Sequence, residues 1–266
     1  MKNNESGFTL IELMVATAMV TIVVGVIYAA YNIQTKIYTE QDKTAEMQQN
    51  IRAGLYHLQR EARMAGYNSQ ETKDSTCNKP VDSGTPSSTS PGIHTASYDE
   101  DDDELAKESR MFGFSLDLNN DNDCADTGEN ITYGIYKPEG GIWKLGRMVR
   151  QDDGKLSDPD AVAENIIDID FIYLIKDSDD SNKKKQSRDP VTDGFKLDDI
   201  VAVQVSLLAE ARTKDRKKNT NTSFTLPVPD WLSLGEDPVA TITWTYNDSV
   251  SRRLLTTTIN LRNMGL

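Results

Sequence analysis

Oxygen-bearing side chains recur at every second position in the segment LDLNNDND, namely those of Asp117, Asn119, Asp121 and Asp123. A calcium-binding loop uses this 1-3-5-7 spacing to turn oxygen ligands toward one ion. The full EF-hand pattern is absent, because the sixth position is Asn122 rather than glycine and the acid expected at the twelfth position falls at Glu129, one place late. The sequence therefore leaves two alternatives, a calcium site or an Asn/Asp-rich turn between strands.

The two cysteines, Cys77 and Cys124, are far apart and lie in polar surroundings. Neither belongs to a CxxC motif and no histidine is close in sequence, which argues against a zinc site. If this part of the chain lies outside the cytoplasm, the pair is expected to form one disulfide. Closing a loop of that length would contribute roughly 4 kcal/mol.

Residues suited to catalysis are few. His57 lies beside the apolar stripe of a predicted helix and His94 in a Ser/Pro-rich loop, so neither pairs with a nucleophile. Asp168 and Asp170 share a strand face, where solvated acids are far commoner than catalytic pairs. There is no glycine-rich loop of the kind that binds phosphate. The sequence thus predicts that the protein is not an enzyme. Calcium is the one candidate cofactor.

The overall charge argues against nucleic acid as a partner. The chain has 266 residues and a net charge of −13, whereas nucleic-acid binding needs basic surface that displaces counterions from phosphates. Two basic clusters, at 182–185 and 212–218, could contact DNA, lipid headgroups or an acidic neighbouring subunit. We interpret both as solvated loop charge, and nucleic acid is not an expected partner.

The candidate residues named above must be positioned by a long amino-terminal helix and a body of strands. From Phe8 to Tyr31 the only charge is Glu12, and the run spans roughly 36 Å at ~1.5 Å per residue, enough to cross a bilayer core. It is too long for a cleaved secretory signal, and its small residues are spread through it, so an anchor fits better.

The helix is predicted to continue past the apolar run, to about Gly66. Between Asn32 and Gly66 there is no proline, and one stripe of a helix is apolar: Ile51, Leu55, Leu58, Ala62 and Ala65. The segment 32–66 is therefore expected to pack on a globular body, and 8–31 to project from it.

Glu12 is out of place in an apolar run, since a charge near the centre of a membrane helix costs ~2.5–3.5 kcal/mol. One interpretation is a carboxylate that reaches the membrane interface or stabilises the helix amino terminus.

The surrounding sequence GFTLIEL, after a short polar leader, resembles the prepilin signature of type IV pilins and type II secretion pseudopilins. That resemblance implies cleavage after Gly7 by a prepilin peptidase and N-methylation of Phe8. It also implies that Glu12 pairs with the terminal amine of a neighbouring subunit, its partner only in the assembled filament.

The body, 67–266, is predicted to be rich in strands. Period-two alternation is clearest at 167–175, 201–209, 240–246 and 255–261, with shorter candidates at 111–116, 130–136 and 142–149. Long loops are expected at 68–110 and 176–198, and a further charge-rich connection at 212–237. One polar and one apolar face per strand indicates an antiparallel sheet covered on one side by the helix. The fold class is α+β.

The order of EARMAGY, LDLNNDND, ENITYGIY, AENIIDIDFIY, VAVQVSLLAE and NLRN resembles the minor pilins of the PilW type. The resemblance implies a pilin-like fold and a role in pilus initiation or assembly, at or near the tip. Implied partners are other minor pilins, the major pilin, prepilin peptidase, membrane lipid before assembly, and inner-membrane machinery with its ATPase. The body, 67–266, would lie in the periplasm before the subunit enters the surface pilus. Alternatives are a GspJ-like pseudopilin of type II secretion and a membrane-anchored extracellular binding module.

Overall fold

The computed structural model describes residues 8–67, 93–94, 111–121, 126–151, 156–176, 184–188, 190, 193–195, 199–212, 220–227 and 241–262. The chain divides into two compact units, residues 1–45 and 46–266. A single helix, α1 (Leu10–Ala62), contributes to both.

The amino-terminal unit presents an uncovered apolar helix. Every side chain from Phe8 to Asp42 is exposed. By length and composition, α1 contains an 18-residue window apolar enough to cross a membrane, and none of that window is buried. So large an apolar surface is unfavourable in water and marks a site for lipid or for neighbouring protein.

In the second unit, the end of α1 buries the stripe predicted from the sequence. The buried side chains are Ile51, Leu55, Leu58, Ala62 and, in the turn after the helix, Ala65. Gly54 lies in the same stripe, where a Cβ atom would be 3.0 Å from Leu145 Cδ2 and 3.2 Å from Ala163 Cβ. The missing side chain at Gly54 therefore lets the helix approach the strands closely.

The described strands form three antiparallel sheets. The first has the order β1 (Ile93–His94), β2 (Phe112–Ser115), β3 (Asn130–Tyr136), β4 (Lys144–Val149) and β5 (Asp160–Glu164). The second has the order β11 (Arg252–Asn260), β8 (Ile200–Glu210), β6 (Ile166–Lys176) and β7 (Lys184–Ser187). The third pairs β10 (Thr243–Asp248) with β9 (Thr220–Thr225).

One core joins α1 to the first two sheets. The ring of Phe112 in β2 stacks on Phe171 of β6 with centroids 5.3 Å apart, and lies 6.2 Å from the ring of Tyr173. The buried stripe of α1 belongs to the same cluster. The predicted α+β class, a long amino-terminal helix packed on antiparallel strands, is confirmed.

The prediction of one sheet with a single covered side is wrong. Every residue of β3 is buried, and β8 is buried along most of its length on both faces. The alternating polar residues Gln204 and Ser206 suggested a solvent face, yet both are buried. Their polar groups have partners in the fold, since Gln204 Nε2 donates to the Pro227 carbonyl and the Ser206 hydroxyl lies 2.9 Å from that of Thr256.

Strands also occur inside segments expected to be loops. β1 lies within 68–110, β7 within 176–198 and β9 within 212–237, and β5 was not predicted. These strands are short or polar, so they lack the apolar alternation by which strands are recognised. Their backbone groups are instead satisfied by pairing with the edges of β2, β6, β10 and β4.

Candidate functional site

The first turn of α1 is closed by reciprocal hydrogen bonds between Thr9 and Glu12. Glu12 Oε2 accepts hydrogen bonds from the backbone amide and the hydroxyl of Thr9, both at 2.9 Å. The Glu12 amide donates to Thr9 Oγ1 at 3.4 Å. Threonine at the N-cap with glutamate three positions later is a capping box, which satisfies amides that have no partner within the helix.

Glu12 thus has hydrogen-bond partners in its own helix, which supports its interpretation as a helix-terminus residue. Its pairing with the amine of a neighbouring subunit stays a prediction. The T-x-x-E spacing before an apolar run is visible in the sequence and could have revealed this arrangement. In the described part of the chain, no hydrogen bond reaches Glu12 Oε1. That oxygen is available to a donor outside this chain.

Of the predicted processing and disulfide residues, one is described by the structure and three are not. Phe8 is described and is 92% exposed. Gly7, Cys77 and Cys124 lie outside the described residues. Cleavage after Gly7 and the disulfide therefore stay predictions.

The loop after β2 forms an Asn/Asp-rich turn. Asp117 is buried, and its Oδ1 accepts a hydrogen bond from the Asn120 amide at 2.6 Å. Asn119 Nδ2 donates to Asp121 Oδ2 at 2.9 Å and to Asp126 Oδ2 at 2.7 Å. The Asp121 amide donates to Asn119 Oδ1 at 3.0 Å, which is the hydrogen bond of an Asx turn.

This arrangement supports the turn alternative for the segment. In the part of the chain that the structure describes, no group of three or more His, Cys, Asp or Glu residues is arranged to hold a metal ion. Asp123 lies outside that part, so calcium binding stays a prediction. Glu129 closes the turn, since its Oε1 accepts a hydrogen bond from the Leu118 amide at 2.9 Å. Burial raises the pKa of Glu129.

The two acids on β6 have separate partners and do not form a carboxylate pair. Asp170 is buried, with its Oδ2 atom 3.1 Å from Arg188 Nε. Asp168 Oδ2 accepts a weak hydrogen bond from the hydroxyl of Tyr246 at 3.4 Å. The expectation of a solvated strand acid is wrong for Asp170, because Arg188 follows β7, a strand that the sequence analysis interpreted as loop.

Sequence reasoning missed a polar contact between α1 and the first sheet. The Tyr133 hydroxyl donates to Glu61 Oε2 at 2.7 Å, and Arg147 Nε donates to the same oxygen at 2.8 Å. Burial and then the adjacent Glu61 raise the pKa of Tyr133. The two partners lie 72 and 86 positions from Glu61, so no local sequence pattern links them.

Two family models match the chain. The prokaryotic N-terminal methylation motif matches residues 2–28, which include Gly7, Phe8 and Glu12. The model of type IV pilus-assembly protein W matches residues 132–263, from within β3 to beyond the end of β11. No curated protein matches this chain.

A type IV-like pilin from Thermus thermophilus is similar in structure, with a TM-score of 0.39 and 13% identity over 82% of this chain and 98% of that one. The assignment rests on the two sequence matches rather than on this structure. Pilins are structural and assembly subunits, so the prediction that the protein is not an enzyme is confirmed. An apolar amino-terminal helix that carries this motif is typical of a membrane-anchored pilin. The two matches together identify the chain as type IV pilin-like and most similar to the PilW type of pilus-assembly protein.

Proposed function

We propose that this chain is a minor pilin that takes part in initiating and assembling a type IV pilus, at or near its tip. One observation carries the proposal. The side chains of the apolar helix are uncovered from Phe8 to Asp42, in the chain that also matches the pilin methylation motif. Such a surface suits lipid before assembly and the helices of neighbouring pilins afterwards.

Processing would prepare the amino terminus for assembly. Cleavage after Gly7 frees the amine of Phe8, and N-methylation of that amine in a separate step leaves it a cation in apolar surroundings. Glu12 lies about one helical turn further along. Its Oε2 is engaged by Thr9, whereas its Oε1 has no hydrogen bond in the described part of the chain. In a staggered array of subunits, Oε1 would accept from the amine of a neighbour, so the charge pair selects correctly registered subunits.

The location and partners follow from this role. Residues 8–31 would hold the subunit in the inner membrane as a single span, with residues 67–266 in the periplasm, until it enters the pilus. The partners would be prepilin peptidase, the other minor pilins, the major pilin, and the assembly machinery with its ATPase. A tip position predicts that sheared filaments contain far fewer copies of this chain than of the major pilin, which quantitative mass spectrometry would measure.

The deciding experiment is the intact mass and amino-terminal sequence of the protein from its own membranes, with and without prepilin peptidase. We expect a chain that starts at N-methylated Phe8 only when the peptidase is present. A chain that keeps Met1 or Lys2 in both samples would contradict the proposal. In that case a membrane-anchored binding module would explain the apolar helix better.

A further inference from the structure

A groove of about 750 Å³ opens on the second unit near the end of α1. Its lining comes from three parts of the chain: the end of α1 with the turn after it, the segment that follows β2, and the residue two positions past β11. The lining residues that matter here are Tyr56, Arg60, Arg63, Tyr67, Leu118 and Arg262.

The exposed apolar surface of the second unit is concentrated in this groove. In the described part of the unit, the large hydrophobic side chains that are exposed, tyrosines included, are Tyr56, Met64, Tyr67 and Leu118, and all four line the groove. Their exposed fractions range from 39% for Met64 to 63% for Tyr56. Clustering of such side chains, rather than scatter over the surface, marks an interaction site.

The groove is also basic, in a protein whose net charge is −13. Arg60, Arg63 and Arg262 are exposed and line it, and no carboxylate is among the lining residues that the structure describes. The ion pairs found in the described part of the chain involve none of these arginines. Compensation of the helix dipole explains Arg60 and at most Arg63. It does not explain why Arg262, from the other end of the chain, converges on the same groove.

We propose that this groove binds an acidic segment of another pilus subunit, one that presents carboxylates together with a large apolar side chain. The inference rests on the proposed function as a pilus subunit. Arginine binds carboxylates through two parallel hydrogen bonds, and tyrosine, methionine and arginine are enriched at protein interfaces. The groove combines these residue types, so it fits a protein segment that carries both kinds of side chain.

Nucleic acid fits less well. A long polyanion would pass beyond the three arginines and meet the negative charge of the rest of the chain, whereas a short acidic segment meets the groove alone. An anionic lipid headgroup would use the arginines but leave Tyr56 and Leu118 without apolar partners. These two ligands become outcomes of the test.

The test uses the full chain in its own cells, with a photo-crosslinking amino acid at Tyr56 or at Leu118 and mass-spectrometric mapping of both crosslinked peptides. The control position is Arg253, which is exposed in β11 and lies about 30 Å along the strand from Arg262. We expect crosslinks from both groove positions, but not from Arg253, to one acidic segment of another pilus subunit.

Charge variants test whether the arginines bind the partner. Arg60→Glu with Arg63→Glu should lower the crosslink yield from Leu118 by about tenfold, while Arg60→Lys with Arg63→Lys, which keeps the charge but not the paired hydrogen bonds, should lower it less. Equal urea midpoints of the purified full-length variants in detergent would show that the second unit stays folded. A yield that is unchanged in the Glu variant would overturn the proposal.

Three further outcomes would also overturn it: no crosslink specific to the groove, a partner segment without acids, or a crosslinked product that is nucleic acid or lipid. The amino-terminal sequence and the filament content of the chain are measured in the same cells. A correctly processed and incorporated subunit without an acidic partner in the groove contradicts this inference alone. An unprocessed chain that is absent from filaments contradicts the proposed function.

Discussion

Thr9 donates its backbone amide and its hydroxyl to the same oxygen of Glu12, each at 2.9 Å, so the acid of the methylation motif already has a partner in its own helix. Two roles are therefore superimposed on Glu12: it caps α1, and in the proposed filament it carries the charge that pairs with a neighbour. A substitution to alanine removes both and cannot separate them.

Glu12→Gln separates the two roles. Glutamine also forms a capping box, so the variant keeps the helix terminus but loses the negative charge. We expect normal membrane levels and processing, with incorporation into filaments lowered about tenfold or more, corresponding to at least ~1.4 kcal/mol of lost pairing. The measurement is the ratio of this chain in sheared filaments to that in membranes, by quantitative mass spectrometry.

Thr9→Ala is the matched control. It removes the cap, at a cost of about 1 kcal/mol of local helix stability, and keeps the charge of Glu12. This variant should be incorporated nearly as well as the unmodified chain, provided that intact mass shows normal cleavage. If Glu12→Gln is incorporated normally and Thr9→Ala is not, capping rather than charge pairing is the function of Glu12.

The contact between Tyr133 and Glu61 should hold the end of α1 against the first sheet. Tyr133→Phe removes a buried hydrogen bond to a carboxylate and should lower the free energy of unfolding by about 2 kcal/mol. Urea unfolding of the full-length chain in detergent, followed by tryptophan fluorescence, measures this value. Tyr136→Phe on the same strand is the control, because the Tyr136 hydroxyl has no hydrogen bond within the described residues. Equal losses in both variants would show that the loss does not come from the hydrogen bond to Glu61.

Arg252 of β11 contacts two residues of β10. Its guanidinium lies 3.9 Å from the ring centroid of Tyr246, and its two terminal nitrogens lie 2.6 and 2.7 Å from the two carboxylate oxygens of Asp248. Lysine cannot reproduce this stacked, bidentate geometry, so Arg252→Lys should lower the free energy of unfolding by about 2 kcal/mol. Arg253→Lys, at the exposed neighbouring position, should change it by less than about 0.5 kcal/mol. A neutral Arg252→Lys would show that the charge alone suffices.

Glu210, which also contacts Arg252, should make stability depend on pH in an identifiable direction. Burial raises the pKa of Glu210 above its ordinary value, against the lowering effect of Arg252. The folded chain thus holds this proton where the unfolded chain has lost it. Relative to Glu210→Gln, the unmodified chain should be most stable below about pH 4.3, lose stability as pH rises through the raised pKa, and then stay level. Urea unfolding of both chains from about pH 4 to about pH 8 tests this, and a relative gain with rising pH would contradict it.

Much of this fold follows from periodicity. The helix stripe from Ile51 to Ala65 and the strands β6 and β8 are recognisable because their apolar residues recur at the helical or the strand period. β7, with the sequence KKQS, and β9, with TNTSFT, carry no such signal. They exist because a neighbouring strand offers unpaired backbone groups, which is information about the folded sheet and not about the local sequence.

The candidate sites also differ in whether the local sequence reveals them. The methylation motif is contiguous, so Phe8 and Glu12 can be identified from the sequence alone. The groove is not, because Tyr56 lies on a helix, Leu118 follows a strand and Arg262 is near the end of the chain. Nor could Asp170 be predicted as buried, since its partner Arg188 follows a strand that pairs with β6 only in the folded sheet.

Gly54 should be the position where the packing of α1 on the strands is least tolerant. A Cβ atom would lie 3.2 Å from Ala163 Cβ, an atom fixed to the backbone of β5, and 3.0 Å from the buried side chain of Leu145. Gly54→Val adds two further carbons to this contact, and a β-branched residue gains little helix propensity in return. We expect a loss of about 3 kcal/mol in the free energy of unfolding, measured with urea on the full-length chain in detergent.

Gly25→Val is the control for Gly54→Val, because a Cβ at Gly25 meets nothing within 4 Å. It should leave the unfolding of the second unit unchanged. Gly54→Val combined with Leu145→Ala should recover part of the stability, since the shorter side chain vacates the space that valine needs. No recovery in the double variant would mean that Ala163, fixed to the backbone, sets the limit on how closely α1 packs. A neutral Gly54→Val alone would mean that the helix can move away from the sheet without loss, contrary to the close packing seen here.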